Sequence, residues 1–216
     1  MSIYCMGKRE KQVLLLRILL GVLIVCNMAV IFLFSSQSAK KSAAISQKVT
    51  NAVVETVTKD YGEKPAGEQN AIVRKAHTPI RKLAHMLEFG SLATLSFLFL
   101  ITWRGKILWR YAASLGFALV YAATDELHQL FSDGRGARLS DVFIDFSGAF
   151  IACTLTLIIV ILVRGINKKA TGDSPIEEQK PAVIVCVSQA FSRFQSLMLK
   201  QISKLKEVHK KKEKEK

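Results

Sequence analysis

The chain has 216 residues, half of them apolar, and a formal net charge of +14. The apolar residues come in blocks of about 20, a length that crosses a bilayer, and this pattern excludes an ordinary soluble protein. The excess Lys and Arg flanks these blocks, as is typical of the cytoplasmic ends of membrane spans, so no nucleic acid partner is expected.

The first apolar run predicts an uncleaved membrane span, TM1, at residues 13–34. Only Arg17 and Asn27 interrupt it. The run is too long for a signal-peptide core, and no small-x-small cleavage site follows it closely. The basic residues before it indicate that the chain starts in the cytoplasm.

Residues 35–79 form a polar segment that we expect to lie outside the cell. Its apolar residues recur at helical spacing, at Ile45, Val49, Ala52, Val53 and Val57. This pattern favours a short amphipathic helix on the outer membrane surface, and a weakly ordered loop is the alternative. The Lys and Arg of this segment conflict with an outside location, although long loops follow the charge rule less strictly than short ones.

Three more spans are predicted, TM2 at 81–102, TM3 at 107–130 and TM4 at 141–163. The short loop between TM2 and TM3 contains Arg104, Lys106 and Trp103, a combination typical of the cytoplasmic boundary. The predicted fold is therefore an all-α integral membrane protein with four transmembrane helices and both termini in the cytoplasm. Residues 1–164 form the membrane domain. Residues 165–216 form a basic amphipathic tail that would bind the anionic inner leaflet, with a coiled coil as the alternative.

Ionisable residues gather where TM2, TM3 and TM4 approach the predicted outer face. Such groups at or below a membrane boundary are expensive and mark a functional site. The uncharged stretches Phe89–Thr102 and Tyr111–Thr124 are too short for a hydrocarbon core of about 30 Å. We therefore expect Glu88 and Asp125 to face one another below the interface inside the bundle, with a locally thinned bilayer as the alternative. The candidate cluster comprises Arg81, His85, Glu88, Asp125, Glu126, Gln129, Arg135, Arg138, Asp141 and Asp145.

The cluster has three interpretations: a headgroup site, buried ion pairs that fix the register of the helices, and a path for ions or protons. No cofactor is expected. A divalent cation is a weaker alternative, because His and carboxylates suit several metals but no motif such as HExxH is present. His77 falls outside the predicted helices and is interpreted as a solvated loop residue. Gly148, near Ala149 and Ala152, predicts close helix packing.

Two blocks, RKLAHMLEFGSLA and TDELHQLFSDGRGARLSDVFIDFSGA, together with FSSQS after TM1, resemble the VanZ-like family over about residues 34–152. The chain departs from the family pattern at Ser132-Asp133, where an apolar-Pro pair is common, and at Ala152, where glycine is frequent. The family pattern falls on Arg81, His85, Glu88, Asp125, Glu126, Gln129, Arg135, Asp141, Asp145 and Gly148.

The resemblance implies a multi-pass protein of the bacterial plasma membrane and cell envelope, since the family's namesake lowers susceptibility to teicoplanin. The resemblance supplies no reaction, and our first hypothesis is a non-catalytic envelope protein that binds membrane lipids or a lipid-linked cell-wall precursor and so lowers susceptibility to teicoplanin-type lipoglycopeptides. Arg81, Arg135 and Arg138 would hold phosphate oxygens.

The alternative is a membrane enzyme that modifies a lipid-linked headgroup. Glu88 or Asp125 would serve as general base and His85 as acid or proton shuttle. The absence of a GxSxG motif weighs against acyl-enzyme chemistry, and four short spans give a transporter little support. The sequence assigns no catalytic residue and no oligomeric state.

Overall fold

The computed structural model describes residues 7–132, 134, 136 and 138–171. Within these ranges the chain is helical and contains no strand, which confirms the all-α prediction. The 3-10 turn Tyr61–Glu63 lies between the second and third helices. The five α-helices are α1 (Lys8–Ser35), α2 (Ala39–Val57), α3 (Ala66–Leu100), α4 (Ile107–Gln129) and α5 (Leu139–Thr171).

Four helices are long and apolar enough to cross a membrane, which confirms the predicted number of spans. The segments that meet this criterion are Glu10–Ser35, Ala66–Leu100, Ile107–Gln129 and Leu139–Gly165. Their apolar side chains are exposed in large numbers, as expected for surfaces that face lipid rather than water. The cytoplasmic location of the two termini stays a prediction, and the tail after residue 171 lies outside the described residues.

Residues 35–79, predicted as a polar loop or a short amphipathic helix, contain helix α2 and the beginning of α3. Helix α2 packs on α3 and buries Thr50 and Val54, as α3 buries Val73. The other apolar residues of α2 remain exposed, among them Val49 and Val53. The helical alternative is therefore confirmed, whereas its position on the membrane surface stays a prediction.

Helix α3 continues through Pro79, although the sequence suggested that the chain was still irregular there. A proline inside a helix loses one backbone hydrogen bond, and packing against α2 helps to offset that loss. With 35 residues, α3 is about 52 Å long, longer than a hydrocarbon core of about 30 Å. The interpretation of His77 as a solvated loop residue is wrong, because His77 lies within α3 and its Nε2 atom is buried.

Residues 19–159 form one compact unit, and Phe89, Leu92 and Phe97 of α3 are fully buried in it. The described parts of 7–18 and 160–171 belong to a second unit. Within the first unit, polar contacts join the spans along their length, as is common between helices in lipid. Asn27 of α1 donates to Ser91 of α3 over 2.6 Å. Further contacts are Tyr121 Oη to the Met28 carbonyl oxygen at 2.8 Å and Tyr111 Oη to Thr154 Oγ1 at 2.7 Å.

Helices α3 and α5 approach each other at Gly148. A Cβ atom at this position would overlap the Met86 carbonyl oxygen and lie 2.6 Å from the Met86 carbonyl carbon. A Cβ atom on Gly90 of α3 would lie 3.2 Å from the Gly148 carbonyl oxygen and 3.1 Å from the Ala152 Cβ atom. The predicted role of Gly148 in close packing is confirmed. This contact fixes the position of α3 along α5, and with it the relative positions of the polar residues that the two helices carry.

Candidate functional site

A cavity of about 370 Å³ opens where α1 and α4 end, α5 begins and α3 passes. Seven of the ten predicted site residues line it: Arg81, His85, Glu126, Gln129, Arg138, Asp141 and Asp145. The walls also contain His77, Thr78 and Lys82 of α3 and Ala39 of α2. Glu88 and Asp125 lie outside this lining, and Arg135 lies outside the described residues.

The charges of the cavity differ in depth. Two carboxylates are buried, Glu126 with 5% and Asp145 with 2% of their surface exposed, and we call them the acidic floor. Arg81, Lys82 and Arg138 are exposed, and we call them the basic rim. The most buried ionisable groups of the cavity are therefore acidic, and the most exposed ones are basic.

His85 lies between two carboxylates. Its Nδ1 atom is 3.7 Å from Asp145 Oδ1 and 3.9 Å from Glu88 Oε2. These distances are too long for hydrogen bonds but short enough for an electrostatic contact when the imidazole is protonated. His85 of α3 thus faces Asp145 of α5 within the cavity.

The carboxylate of Asp125 is occupied by a buried hydrogen-bonded cluster. Asp125 Oδ2 accepts hydrogen bonds from Ser35 Oγ at 2.7 Å and from Gln129 Nε2 at 2.9 Å. Gln129 Nε2 also lies 3.1 Å from Ser35 Oγ, so the three side chains close a triangle between α1 and α4. This geometry matches the structural interpretation of the charged residues better than a catalytic role for Asp125.

Glu126 has a structural contact of its own. Its Oε2 atom accepts a hydrogen bond from the backbone N–H of Arg138 at 2.9 Å. Because Arg138 directly precedes α5, this bond joins the last turn of α4 to the start of the next span. The bond also fixes the backbone of Arg138, whose side chain is exposed at the rim.

Ser36 and His128 form a pair near the cavity that does not suit nucleophilic catalysis. Ser36 Oγ lies 3.0 Å from His128 Nε2 and donates to the Phe32 carbonyl oxygen over 2.7 Å. The Ser36 hydroxyl has one proton, and donating it to the Phe32 carbonyl oxygen leaves none for His128, so this pairing does not favour a nucleophilic serine. The His128 ring stacks on Phe32 with centroids 4.6 Å apart, which stabilises the end of α1.

Several carboxyl groups cluster around Asp145. Coulomb repulsion from Asp125, Glu126, Asp141 and Glu88 acts on its carboxylate, and Asp125 also repels Glu88. An electrostatic interaction links Glu88 and Asp125, whereas their facing one another below the interface stays a prediction. In the described ranges no three His, Cys, Asp or Glu side chains are arranged to hold one metal ion, so the divalent-cation alternative finds no ligand set there.

Two residues of the site were missed from the sequence. Ser35 is buried beside Asp125, and its sequence signals were its place at the end of an apolar run and within the FSSQS motif. His77 lines the cavity and lies four residues before Arg81, on the helical face that also carries His85. That spacing could have identified His77 if the helix had been extended through Pro79.

Four helices that are long and apolar enough to cross a membrane define a multi-pass helical membrane protein. The sequence model of the VanZ/LLP1 family matches residues 20–162, which is well over half of the chain and includes every candidate site residue. The chain therefore belongs to the VanZ/LLP1 family, as its sequence blocks indicated. Searches among curated proteins and among solved structures find no match.

Proposed function

We propose that this VanZ-family protein acts in the bacterial plasma membrane. Its cavity would bind the phosphate-containing headgroup of a lipid or a lipid-linked cell-wall precursor, and this binding would lower susceptibility to teicoplanin-type lipoglycopeptides. The observation that carries the proposal is the basic rim. Within the described ranges, no carboxylate lies within 4.0 Å of the charged side-chain atoms of Arg81, Lys82 or Arg138, although three acidic residues line the same cavity.

Exposed, unpaired arginines suit phosphate recognition. A guanidinium group offers planar paired N–H donors that match two phosphate oxygens, and such charge-assisted bonds are stronger than neutral ones. Arg81 lies on α3 and Arg138 lies just before α5, so a phosphate bound by both would be held from two sides. Arg135 in the intervening loop is predicted to add a third guanidinium group.

The loop at the opposite ends of α3 and α4 supports an outer location for the cavity. Trp103, Arg104 and Lys106 form this loop, and Arg110 donates to the Trp103 carbonyl oxygen there. Short basic loops with tryptophan favour the cytoplasmic side. The cavity would then open towards the outer leaflet, where lipid-linked cell-wall precursors and glycopeptides meet.

A membrane enzyme acting on the same headgroup is the second candidate, and the His85–Asp145 contact favours it. An imidazole beside a buried carboxylate can carry a proton to or from a bound substrate. Asp125, one of the bases suggested by the sequence, is less suitable because its Oδ2 atom already accepts two hydrogen bonds. Glu88 remains a candidate only through its contact with His85.

The first test is teicoplanin susceptibility in cells that make the wild type, Arg81→Gln or Arg74→Gln at matched membrane levels. Arg74 is the matched control, since it is an exposed arginine of α3 outside the cavity lining. Arg81→Gln should weaken headgroup binding by about 10- to 100-fold, the equivalent of one charge-assisted hydrogen bond, and abolish protection. Arg74→Gln should protect like the wild type, and equal effects of the two changes would contradict the proposal.

Replacing His85 distinguishes a binding protein from an enzyme. Mass spectrometry of membrane lipids from cells making the wild type or His85→Gln would reveal a modified headgroup. An enzyme should lose a factor of about 10² or more in product when its acid-base group is removed. A binding protein should yield identical lipids in both strains and retain protection in His85→Gln.

A further inference from the structure

We propose that the cavity takes its ligand sideways from the bilayer, through the seam between α3 and α5. The ligand is then an anionic membrane lipid whose headgroup enters the cavity while its acyl chains stay in the surrounding leaflet. We call the entry point, between Lys82 of α3 and Ile144 of α5, the lateral opening. This inference rests on the proposed function, because it specifies how the same cavity is reached and which part of the lipid stays outside it.

Tight packing closes the seam between α3 and α5 on one side of the lateral opening. A Cβ atom on Gly148 of α5 would overlap backbone atoms of Met86 of α3. One turn further along both helices, a Cβ atom on Gly90 would lie 3.1 Å from the Cβ atom of Ala152. The two helices therefore run in the same direction, and no headgroup can pass between them at this level.

One turn in the other direction the seam borders the cavity. Lys82 lies four residues before Met86, and Ile144 lies four residues before Gly148. Both side chains line the cavity, and Lys82 is exposed while Ile144 is half-buried. Because both helices contribute a wall residue at the same level, the cavity reaches the seam immediately beyond the tight contact.

The surface beside the lateral opening is apolar. Leu83 adjoins Lys82 in the sequence, and Phe143 adjoins Ile144. The exposed fractions are 53% for Leu83, 65% for Leu87 one turn further, and 72% for Phe143. Large apolar side chains with this exposure are unfavourable in water and are typical of surfaces that contact a membrane or a partner. We infer that acyl chains cover this surface, since the residues belong to membrane-spanning helices.

The depth of the lateral opening suits a lipid that stays in its leaflet. Lys82 lies 18 residues before Leu100, the last residue of α3, which corresponds to about 27 Å along the helix. A hydrocarbon core is about 30 Å thick. Since the short basic loop after α3 is expected at one boundary of the membrane, Lys82 is expected near the other, where the lipid phosphates of that leaflet lie.

The charge at the lateral opening favours anionic lipids. Arg81, Lys82 and Arg138 are exposed, and within the described ranges no carboxylate lies within 4.0 Å of their charged atoms. Such cations attract the phosphate group of a lipid that carries a net negative charge. Phosphatidylglycerol has this net charge and phosphatidylcholine has none, so the two lipids with identical chains are suitable probes.

The volume of the cavity agrees with a headgroup whose chains remain outside. At about 370 Å³ the cavity lies at the lower end of the range for small-molecule sites, about 300–1,000 Å³. It has room for a headgroup but not for two long acyl chains as well. The chains would follow the apolar surface formed by Leu83, Leu87 and Phe143.

The test locates the chains of the bound lipid by photo-crosslinking. The full-length protein is placed in nanodiscs with equal amounts of phosphatidylglycerol and phosphatidylcholine, and p-benzoylphenylalanine replaces Leu83. Leu155 of α5 is the matched control position, because it is 56% exposed and lies outside the cavity lining. The ratio of phosphatidylglycerol to phosphatidylcholine adducts should be about 10-fold higher at Leu83 than at Leu155, the equivalent of one charge-assisted hydrogen bond. Arg81→Gln should make the two ratios equal.

A blocking variant tests the route itself. Ile144→Trp should narrow the lateral opening and remove the excess of phosphatidylglycerol adducts at Leu83. Phe143→Trp is its control, since Phe143 is the next residue but does not line the cavity, and it should keep the excess. If Ile144→Trp fails to fold, the comparison of Leu83 with Leu155 decides the question.

The outcomes distinguish this inference from the proposed function. Phosphatidylglycerol binding that native mass spectrometry shows to depend on Arg81, without an excess of adducts at Leu83, would overturn the lateral opening and leave the phosphate site standing. Binding that does not depend on Arg81 would overturn both. Adducts of Leu83 with a second protein chain would show that protein covers this surface, and would overturn the lateral opening.

Water-soluble sn-glycerol 3-phosphate tests the source of the headgroup. If it binds the purified protein as tightly as phosphatidylglycerol does, entry from water suffices and the inference is overturned. Binding weaker by about 10-fold or more supports it, because a lipid held in the leaflet meets the cavity at a higher effective concentration.

Discussion

Replacing Gly148 with alanine adds one methyl group at the closest contact between α3 and α5. The new Cβ atom would lie 2.6 Å from the Met86 carbonyl carbon, where ordinary contacts begin at 3.4 Å. Packed helices have little free space, so α3 and α5 must separate by about 0.8 Å or more. His85 neighbours Met86, and Asp145 lies about one turn before Gly148. Their 3.7 Å contact would therefore lengthen beyond the range of an ion pair.

The free energy of unfolding should fall by about 1–3 kcal/mol, the usual cost of forcing an extra methyl group into a packed interface. For a chain of this size, each kcal/mol of lost stability lowers the midpoint temperature of unfolding by about 2–4 °C. In the assay the protein is heated in detergent, and size-exclusion chromatography measures the fraction that remains monodisperse at each temperature. Gly116→Ala is the matched control, because Gly116 lies inside α4 with no atom within 4 Å of its would-be Cβ.

Gly116→Ala should leave the midpoint unchanged or raise it, since alanine is favoured over glycine within a helix by up to about 1 kcal/mol. The reasoning is refuted if Gly148→Ala melts at the wild-type temperature. It is equally refuted if the two alanine variants lose the same stability, because the effect would then come from the glycine backbone and not from the α3–α5 contact.

Two further matched pairs can be measured with the same melting assay. Asp125→Ala removes the acceptor that Ser35 and Gln129 share and should cost about 1–3 kcal/mol. Asp125→Asn keeps an acceptor oxygen and should cost less. Equal losses would show that charge, not hydrogen bonding, sets the role of this residue. On α2, Val54→Ala removes buried methyl groups and should lower the free energy of unfolding by about 1 kcal/mol or more. Val53→Ala, at an exposed position, should change the midpoint of thermal unfolding little. The opposite order would mean that α2 packs on α3 through its other face.

The four spans were predictable from the sequence because apolar length is a local property. Gly148 was predictable for a similar reason, since small residues on a membrane helix indicate close packing. The continuation of α3 through Pro79 was not, because a proline locally disfavours helix. Tertiary packing offsets that cost, since Val54 of α2 and Val73 of α3 are buried. No local sequence pattern reveals this packing.

Most residues of the candidate site could be predicted from the sequence, but the contacts between them could not. Helical spacing shows that Arg81 and His85 share a face, and the structure places both in the cavity wall. Spacing within one helix does not show which neighbour a face meets. Asp125 therefore could not be assigned to Ser35, 90 residues earlier, and the burial of Asp145 beneath an exposed rim was equally invisible.

The pairing of Ser35 with Asp125 has a consequence for how the protein is made. Synthesis runs from the N-terminus, so Ser35 leaves the ribosome before Asp125, and His85 before Asp145. Each of these two carboxylates enters the membrane after the group it will contact has already been inserted. An isolated charge inside lipid is expensive, and this order shortens the time that either acid spends without its partner.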